Sequence, residues 1–426
     1  MTRILFIAQH AYPVRSSEAI CNSKVAFSLA EAGYQIDVIT NDFQSTYPED
    51  SIIDSVLRKS PNLHVFEIDS VNHQSNLSKS KSIRANICSL VRMFKMWRKS
   101  GYFYNGMGDA FDVLTAVKAH VESSGSFLYD VVITRAYSAE LAAIYLKEKY
   151  GVIWIANWND PYPICRFPKP YGKGPSTRIQ FGYKRIYKKV KKLVDYHTFP
   201  SQRLRDYMLG SFGNVDAAKT MVIPHMAHSK LLPQSSSEHG CLKIVSCGSV
   251  NSPRNPALFI KALKDVVDEM SLSASSIQCF FVGKYDSFLA GLIKDNNLNE
   301  FVTLTGPKKY AECLDFIATC DLSLIIEAQC EEGIFLPTKF ADAVQCRIPV
   351  FCVSPQLGTL KDLVEKYGNG YYSDNTSIES IKIALKQAIM DYGNGNLPVI
   401  SKDTMHYFFE EDIVKQYGSI FDNLKL

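Results

Sequence analysis

The sequence lacks the cysteine pattern of a stapled or zinc-bound fold. Its eleven cysteines are scattered over 426 residues, with no CxxC pair and no close cysteine–histidine cluster. That argues against a disulfide framework or a structural zinc site and fits a reducing compartment. Long apolar runs are missing too: none approaches the roughly 20 residues that span a bilayer. The opening MTRILFIAQH turns polar too soon for a signal peptide. The expectation is a cytoplasmic protein, at most peripheral on the inner face of the cell membrane. Neither half contains GxGxxG, which weakens a dinucleotide-dehydrogenase reading. There are no repeats at solenoid periods and no low-complexity tracts. An excess of one sign of charge is also missing: the net charge is +4, so the whole-chain balance names no partner.

What is present is apolar content of 46% and charged content of 21%, as in a soluble globular protein. The length is too great for one comfortable core and suits two domains. Short apolar runs recur, each followed by a helical pattern. RILFIA reads as a strand buried on both faces. The loop QHAYPVRSSEA, a helix over about residues 22–31, Gly33 as its stop and the strand QIDVIT complete a βαβ unit. DVVITRA and VIWIANW are later strands, with SAELAAIYLKEKYG as the helix between them. The pattern restarts after MVIPHMAHSKLLPQSSSEHG, a Pro-, Ser- and His-rich linker. CLKIVSCG, IQCFFVG, FVTLTG, LSLIIEA and PVFCV follow as strands, and ALFIKALKDVVDEM as a helix. The predicted fold class is α/β, with two Rossmann-like, doubly wound domains whose ligands bind at the strand C-termini. The expected boundaries are 1–228, a linker at 229–240, 241–402, and a C-terminal helix at 403–426 that packs back on the first domain.

Two helix starts in the second half are candidates for holding an anion. One follows Gly248 in G-S-V-N-S-P-R-N-P, where Arg254 precedes a helix with Asn255 as N-cap and Pro256 at its first position. The other is L-P-T-K from Leu336, with Thr338 as the cap and Lys339 in the first turn. A helix N-terminus presents free N–H groups and a partial positive charge, and a cation beside it strengthens phosphate binding. The macrodipole disfavours a lysine there, so Lys339 points to a compensating anion. The alternative is that Arg254 and Lys339 are solvated surface residues. Asp342, in the first turns of the same helix, either holds a ribose diol or is an acid placed for the helix dipole. Glu331 and Glu332 either hold sugar hydroxyls or are ordinary loop charges.

Two acid-free basic stretches lie in the first half. Residues 70–108 hold seven Lys and Arg, and residues 161–194 hold ten. Both interleave aromatics with cations. They read either as solvated helix faces or as a surface, through 79–99 and 166–192, for an anionic membrane. No nucleic-acid motif accompanies them.

The stretch CEEGIFLPTKFADAVQCRIPVF resembles the donor-site segment of GT-B glycosyltransferases, especially glycosyltransferase family 4, which is retaining and uses nucleotide sugars. The family pattern is similar to E-G-F-G-L-P-x-x-E-A-M-A-x-G-x-P-V. Here Glu332, Gly333, Leu336 and Pro337 match its start, and Pro349 and Val350 its end. Counted back from Pro349, the second acid falls on Asp342; counted forward from Glu332, it falls on Phe340. Two extra residues after Pro337 give a likeness to the P-S-K-x-x-E-Y variant, with Lys339 as its lysine and Asp342 as its acid, one methylene shorter than glutamate. The family's G-R-L-x-x-x-K pattern, laid on Gly248, puts Arg254 at the lysine position and Ser249 at the arginine position. Gly283 and Gly306 fit loops that border the base.

The resemblance implies GT-B architecture, two domains facing a cleft, with the acceptor on the N-terminal side. It implies a hexosyltransferase-type enzyme that moves a sugar from a UDP- or GDP-sugar to a hydroxyl. The acceptor would be a glycan or a lipid-linked oligosaccharide in bacterial O-antigen or capsule synthesis. It implies retention, no cofactor and no metal. Arg254, Lys339 and the helix N-terminus would stabilise the departing diphosphate, Glu331 or Glu332 would contact the donor sugar, and Asp342 the ribose. On the acceptor side, Ser16 and Ser17 replace the family's Gly-Gly pair and either present N–H groups or cap a helix. His10 is a polar contact or a turn residue. Asp160, in A-N-W-N-D-P-Y, orients an acceptor hydroxyl or starts a turn. Three rivals remain: an epimerase-like enzyme, a phosphorylase, and a non-catalytic GT-B partner subunit, the last kept alive by Ser249.

Overall fold

The computed structural model describes residues 2–42, 49–135, 137–176, 178–213, 215–233, 240–250 and 252–425. The first sheet comprises β1 (Arg3–Ala8), β2 (Gln35–Asp42), β3 (Leu63–Asp69), β4 (Val131–Arg135), β5 (Ile153–Asn157), β6 (Tyr196–Phe199) and β7 (Thr220–Val222). Its order is β3-β2-β1-β4-β5-β6-β7, parallel throughout. The second comprises β8 (Leu242–Cys247), β9 (Ile277–Val282), β10 (Val302–Gly306), β11 (Leu322–Ile326), β12 (Val350–Ser354) and β13 (Gly370–Asp374), in the order β10-β9-β8-β11-β12-β13. Each order reverses direction beside its first strand, the switch point at which such sheets open a crevice. The nine strands expected from apolar runs are all present. β3, β6, β7 and β13 are additional.

Helices α1 (Ser17–Glu31), α2 (Ser51–Leu57), α3 (Ile83–Ser100), α4 (Gly108–Ser123), α5 (Glu140–Tyr150), α6 (Tyr183–Leu193) and α7 (Gln202–Phe212) flank the first sheet. The second carries α8 (Ala257–Glu269), α9 (Ser287–Asp295), α10 (Tyr310–Ala318), α11 (Thr338–Gln345), α12 (Thr359–Tyr367) and α13 (Ile378–Gly393). The tail forms α14 (Lys402–Phe408) and α15 (Glu410–Asn423). Of the expected linker, residues 234–239 lie outside the described residues.

Three helix starts differ from expectation. α1 begins at Ser17, because the Ser16 hydroxyl accepts the Ala19 N–H at 3.2 Å and nucleates the helix early. α8 begins at Ala257, so Pro256 takes the cap position while Asn255 Oδ1 accepts from Ala257 N at 2.9 Å. α11 is preceded by Pro337 in the cap position, with no side-chain cap, and Thr338 is its first residue. That helix start therefore has no side chain of its own to satisfy its first amides.

The two halves are joined tightly. α15 buries Ile413, Tyr417, Ile420 and Phe421 in the same apolar cluster as Ile4 and Phe6 of β1. The Tyr34 and Phe421 rings meet edge-on at 5.1 Å, and Arg135 donates to the Tyr417 hydroxyl at 3.4 Å. Lys24, fully buried on α1, donates to Met226 O at 2.9 Å, to the Tyr310 hydroxyl at 3.0 Å and to Gln345 Oε1 at 2.8 Å.

Candidate active site

The carboxyl ends of β8, β9 and β10 bring three glycines side by side. Gly283 donates to Gly306 O at 2.9 Å, and Gly248 donates to Val282 O at 2.7 Å. Gly283 has a φ of +146°, and a Cβ there would come within 2.5 Å of Gly248 O. Gly248 has a φ of +103°, and a Cβ would stand 3.0 Å from Lys339 Cε. Only glycine allows this backbone to lie directly under the lysine. The loop after β8 and the start of α11, separate in the sequence, are thereby one surface. Ser249, half-buried, follows in that loop.

Lys339 stands over it, and Arg254 is near enough for its charge to act on that lysine. The Arg254 guanidinium lies over the Tyr171 ring at 5.5 Å. Its charge acts on Lys339, Glu327 and Asp160. Burial, and then Arg254, push the Lys339 ammonium down to about 8. Two cations within electrostatic reach of each other at an uncapped helix start are an arrangement suited to holding an anion. Asp342 lies on the same helix and accepts from the Tyr310 hydroxyl at 2.5 Å. Burial raises its carboxyl, opposed by Lys24, the Tyr310 hydrogen bond and Lys339.

The loop before α11 is pinned at several points. Gly333 donates to Leu357 O and accepts from Thr359 N, both at 2.8 Å. Ser201 donates to Ile334 O at 2.6 Å. Leu336 is buried, and its backbone bonds His225, whose imidazole is pushed down to about 3 by burial and by Arg135. The two loop acids do not meet the cations. Glu332 is half-exposed and ion-paired to Arg203 at 2.7 Å, and Arg203 also grips Asp362 at 2.6 Å. Glu331 is exposed. On this side of the cleft an acid within reach of the Arg254 charge is Glu327, 2% exposed just after β11. Its Oε2 has no hydrogen-bond partner and faces Gly333. Burial pushes this carboxyl up to about 8, with Arg254 opposing. LSLIIEA carried the signal: an acid directly at the carboxyl end of a buried strand.

Across the cleft, Asp160 ends the segment after β5. Its carboxyl is raised by burial, with Arg254 opposing. Glu18, in the first turn of α1, is raised to about 7 by burial and then by Asp160, with Arg135 opposing, and its Oε1 is unpartnered. These two acids share one wall. Ser16 is occupied as a cap, Ser17 is exposed, and the His10 carbonyl accepts from Asn22 at 2.5 Å. Neither Glu18 nor Glu327 was singled out from the sequence.

The fold and cleft define the class: this is the GT-B architecture, two Rossmann-like domains face to face. Residues 230–398 match the family model described as Glycosyl transferases group 1. Among solved structures, the chain is similar to HepE from Anabaena in complex with UDP and glucose, at 13% identity and a TM-score of 0.67, covering 99% of this chain and 100% of that one. It is similar to sucrose-phosphate synthase from Thermosynechococcus elongatus, at 14% identity and a TM-score of 0.67, covering 100% and 99%. A TarM mutant from S. aureus, in complex with fondaparinux, α-GlcNAc-glycerol and UDP, aligns at 13% identity and a TM-score of 0.61, covering 99% and 100%. Comparison with curated proteins gave no match. These findings show the GT-B fold, and residues 230–398 match a glycosyltransferase family model.

Proposed function

We propose that the protein transfers a sugar, with retention and without a metal, from a UDP- or GDP-sugar to a hydroxyl of a glycan or lipid-linked acceptor. The pathway proposed is synthesis of a bacterial surface polysaccharide. The observation that carries the reading is Lys339 at the open start of α11, above the glycines of β8, β9 and β10, with Arg254 near enough for its charge to act on that lysine. The UDP in the HepE and TarM complexes supports it.

In this reading the diphosphate rests on the α11 amides between the two cations. They stabilise the negative charge that grows as the bond from the anomeric carbon to the phosphate oxygen breaks, a fixed electrostatic contribution of the kind that dominates many enzymes. The acceptor hydroxyl bonds to the anomeric carbon on the same face, and its proton passes to the departing phosphate oxygen. Asp342 takes the ribose diol. Glu327, rather than Glu331 or Glu332, is the acid placed for the donor sugar. Glu18 and Asp160 orient the acceptor hydroxyl.

The test is incubation of the purified protein with UDP-, GDP- and CDP-sugars, following release of nucleoside diphosphate and the anomeric configuration of the product by NMR. Nucleotide binding with turnover upholds the proposal. Binding without turnover on any donor or acceptor favours a non-catalytic partner subunit, for which Ser249 at the family's arginine position is the supporting observation. Absence of nucleotide binding sinks both.

A further inference from the structure

We infer that the outer face built by α3, the loop after it and α6 docks on an anionic lipid bilayer. Ser89, Met93 and Met96 form the buried stripe of α3. Ile83, Ile87, Leu90, Phe94 and Trp97 are exposed, Ile83 at 83% and Trp97 at 42%. Their spacing of three or four residues places them on one line along the helix, away from the buried stripe. Arg84, Lys95, Arg98 and Lys99 are exposed and fill the sector between. The helix thus has a second apolar face that folding does not use, edged by cations and free of acids. Scattered exposed apolar residues need no explanation, but a continuous stripe does.

The two acid-free stretches meet in space. Phe103, just beyond α3, packs so closely on Gly182 that a Cβ there would overlap the Phe103 carbonyl. Tyr102, Phe103 and Phe181 line a groove of about 540 Å³ with Lys184, Arg185 and Lys188. Phe181 is 95% exposed. α6 turns Ile186, Tyr187 and Val190 inward, which leaves its cations outward.

Charge and shape select the occupant. A second copy of the chain would bring like charges together across a two-fold axis. A nucleic acid would satisfy the cations and leave Ile83, Ile87 and Leu90 wet. A bilayer interface accepts both faces: apolar side chains sink to the acyl boundary while lysine and arginine meet lipid phosphates. Among the described residues no helix is long and apolar enough to cross a membrane, so the contact is one of lying on the surface. This docking requires no sugar chemistry, and its failure would leave the transfer assay untouched.

Trp97 makes the test direct, because Trp154 and Trp158 are buried. Purified full-length protein is mixed with vesicles of phosphatidylcholine plus phosphatidylglycerol, and with phosphatidylcholine alone. The expected result is cosedimentation and a blue-shifted Trp emission with the mixed vesicles at low salt, weakened by high salt, with the shift absent from Trp97→Phe. Replacing Lys95, Arg98 and Lys99 by serine should lower partitioning about a hundredfold, roughly fivefold for each cation. Ile87→Ser with Phe94→Ser should lower it at least about tenfold. Circular dichroism and UDP affinity are compared for each variant to show that the fold is kept. No binding to mixed vesicles overturns the inference, as does equal binding by correctly folded variants. So does a wild-type dimer that these substitutions split into monomers.

Discussion

At the scale of single residues, the proposed donor side is a set of charges held away from their ordinary protonation. Lys339 titrates at about 8, where the phosphates of UDP are already ionised. Below that pH the ammonium is present; above it the charge is lost. UDP affinity, followed by calorimetry, is therefore expected to fall as pH rises through about 8, and Lys339→Met should be weaker and lack that limb. Asp342→Ala should weaken UDP roughly ten- to a hundredfold, the usual range for a lost charged hydrogen bond; unchanged affinity would remove Asp342 from the ribose. Glu327 gives a prediction of opposite sign. Its folded carboxyl is raised to about 8 from an ordinary 4.5. Below pH 4.5 both states are protonated and nothing is gained or lost. Between 4.5 and 8 the unfolded chain ionises while the folded one does not, so this group increasingly destabilises the native state. Glu327→Gln should match the wild type near pH 4.5 and exceed it by roughly 2–4 kcal/mol at pH 8, seen as a separation of urea-unfolding midpoints.

Among elements, the helix starts carry much of the organisation. Asp50 serves two of them: Oδ1 accepts from Ile53 N at 3.2 Å in α2, and Oδ2 from Ala311 N at 2.9 Å in α10 of the other domain. Losing both caps in Asp50→Ala should cost about 1–3 kcal/mol, measurable as a lower urea midpoint. Strands with a continuous apolar run, such as RILFIA and LSLIIEA, were legible in the sequence. β3 was not, because at the sheet edge its residues LHVFEID are mostly exposed or half-buried. β6 and β7 are only four and three residues long. The site divides the same way. Arg254 and Lys339 could be named as candidates because local rules govern helix starts, and Asp342 because the segment around it resembles a family pattern. The nearness of Glu18 to Asp160, or of Glu327 to Arg254, depends on how distant segments pack, which no spacing encodes.

On the scale of the whole molecule, Asp342 and the domain interface belong to one network. Lys24 reaches from α1 into the second domain, and its partner Tyr310 donates to Asp342. Gln345 joins the same lysine to His228 N at 2.9 Å and Leu231 O at 2.8 Å in the segment between the sheets. A buried cation of this kind adds little net stability, because its desolvation offsets its hydrogen bonds. What it supplies is a link between the domains: with α1 against α10 and α11, Lys24 bonds the Tyr310 hydroxyl, which in turn donates to Asp342. Lys24→Met keeps the length and apolar stem of the side chain while removing the charge. Gln345 then retains its bonds to the connecting segment, so the folded domains should survive, and α14 and α15 still strap them together. The expected outcome is a unimodal solution-scattering profile with a larger radius of gyration than the wild type, returning toward it with saturating UDP. UDP affinity should drop, because part of the binding energy now goes into closing the cleft. A wild-type radius together with wild-type affinity would show that the strap alone sets the domain arrangement and that Lys24 has no part in orienting Asp342.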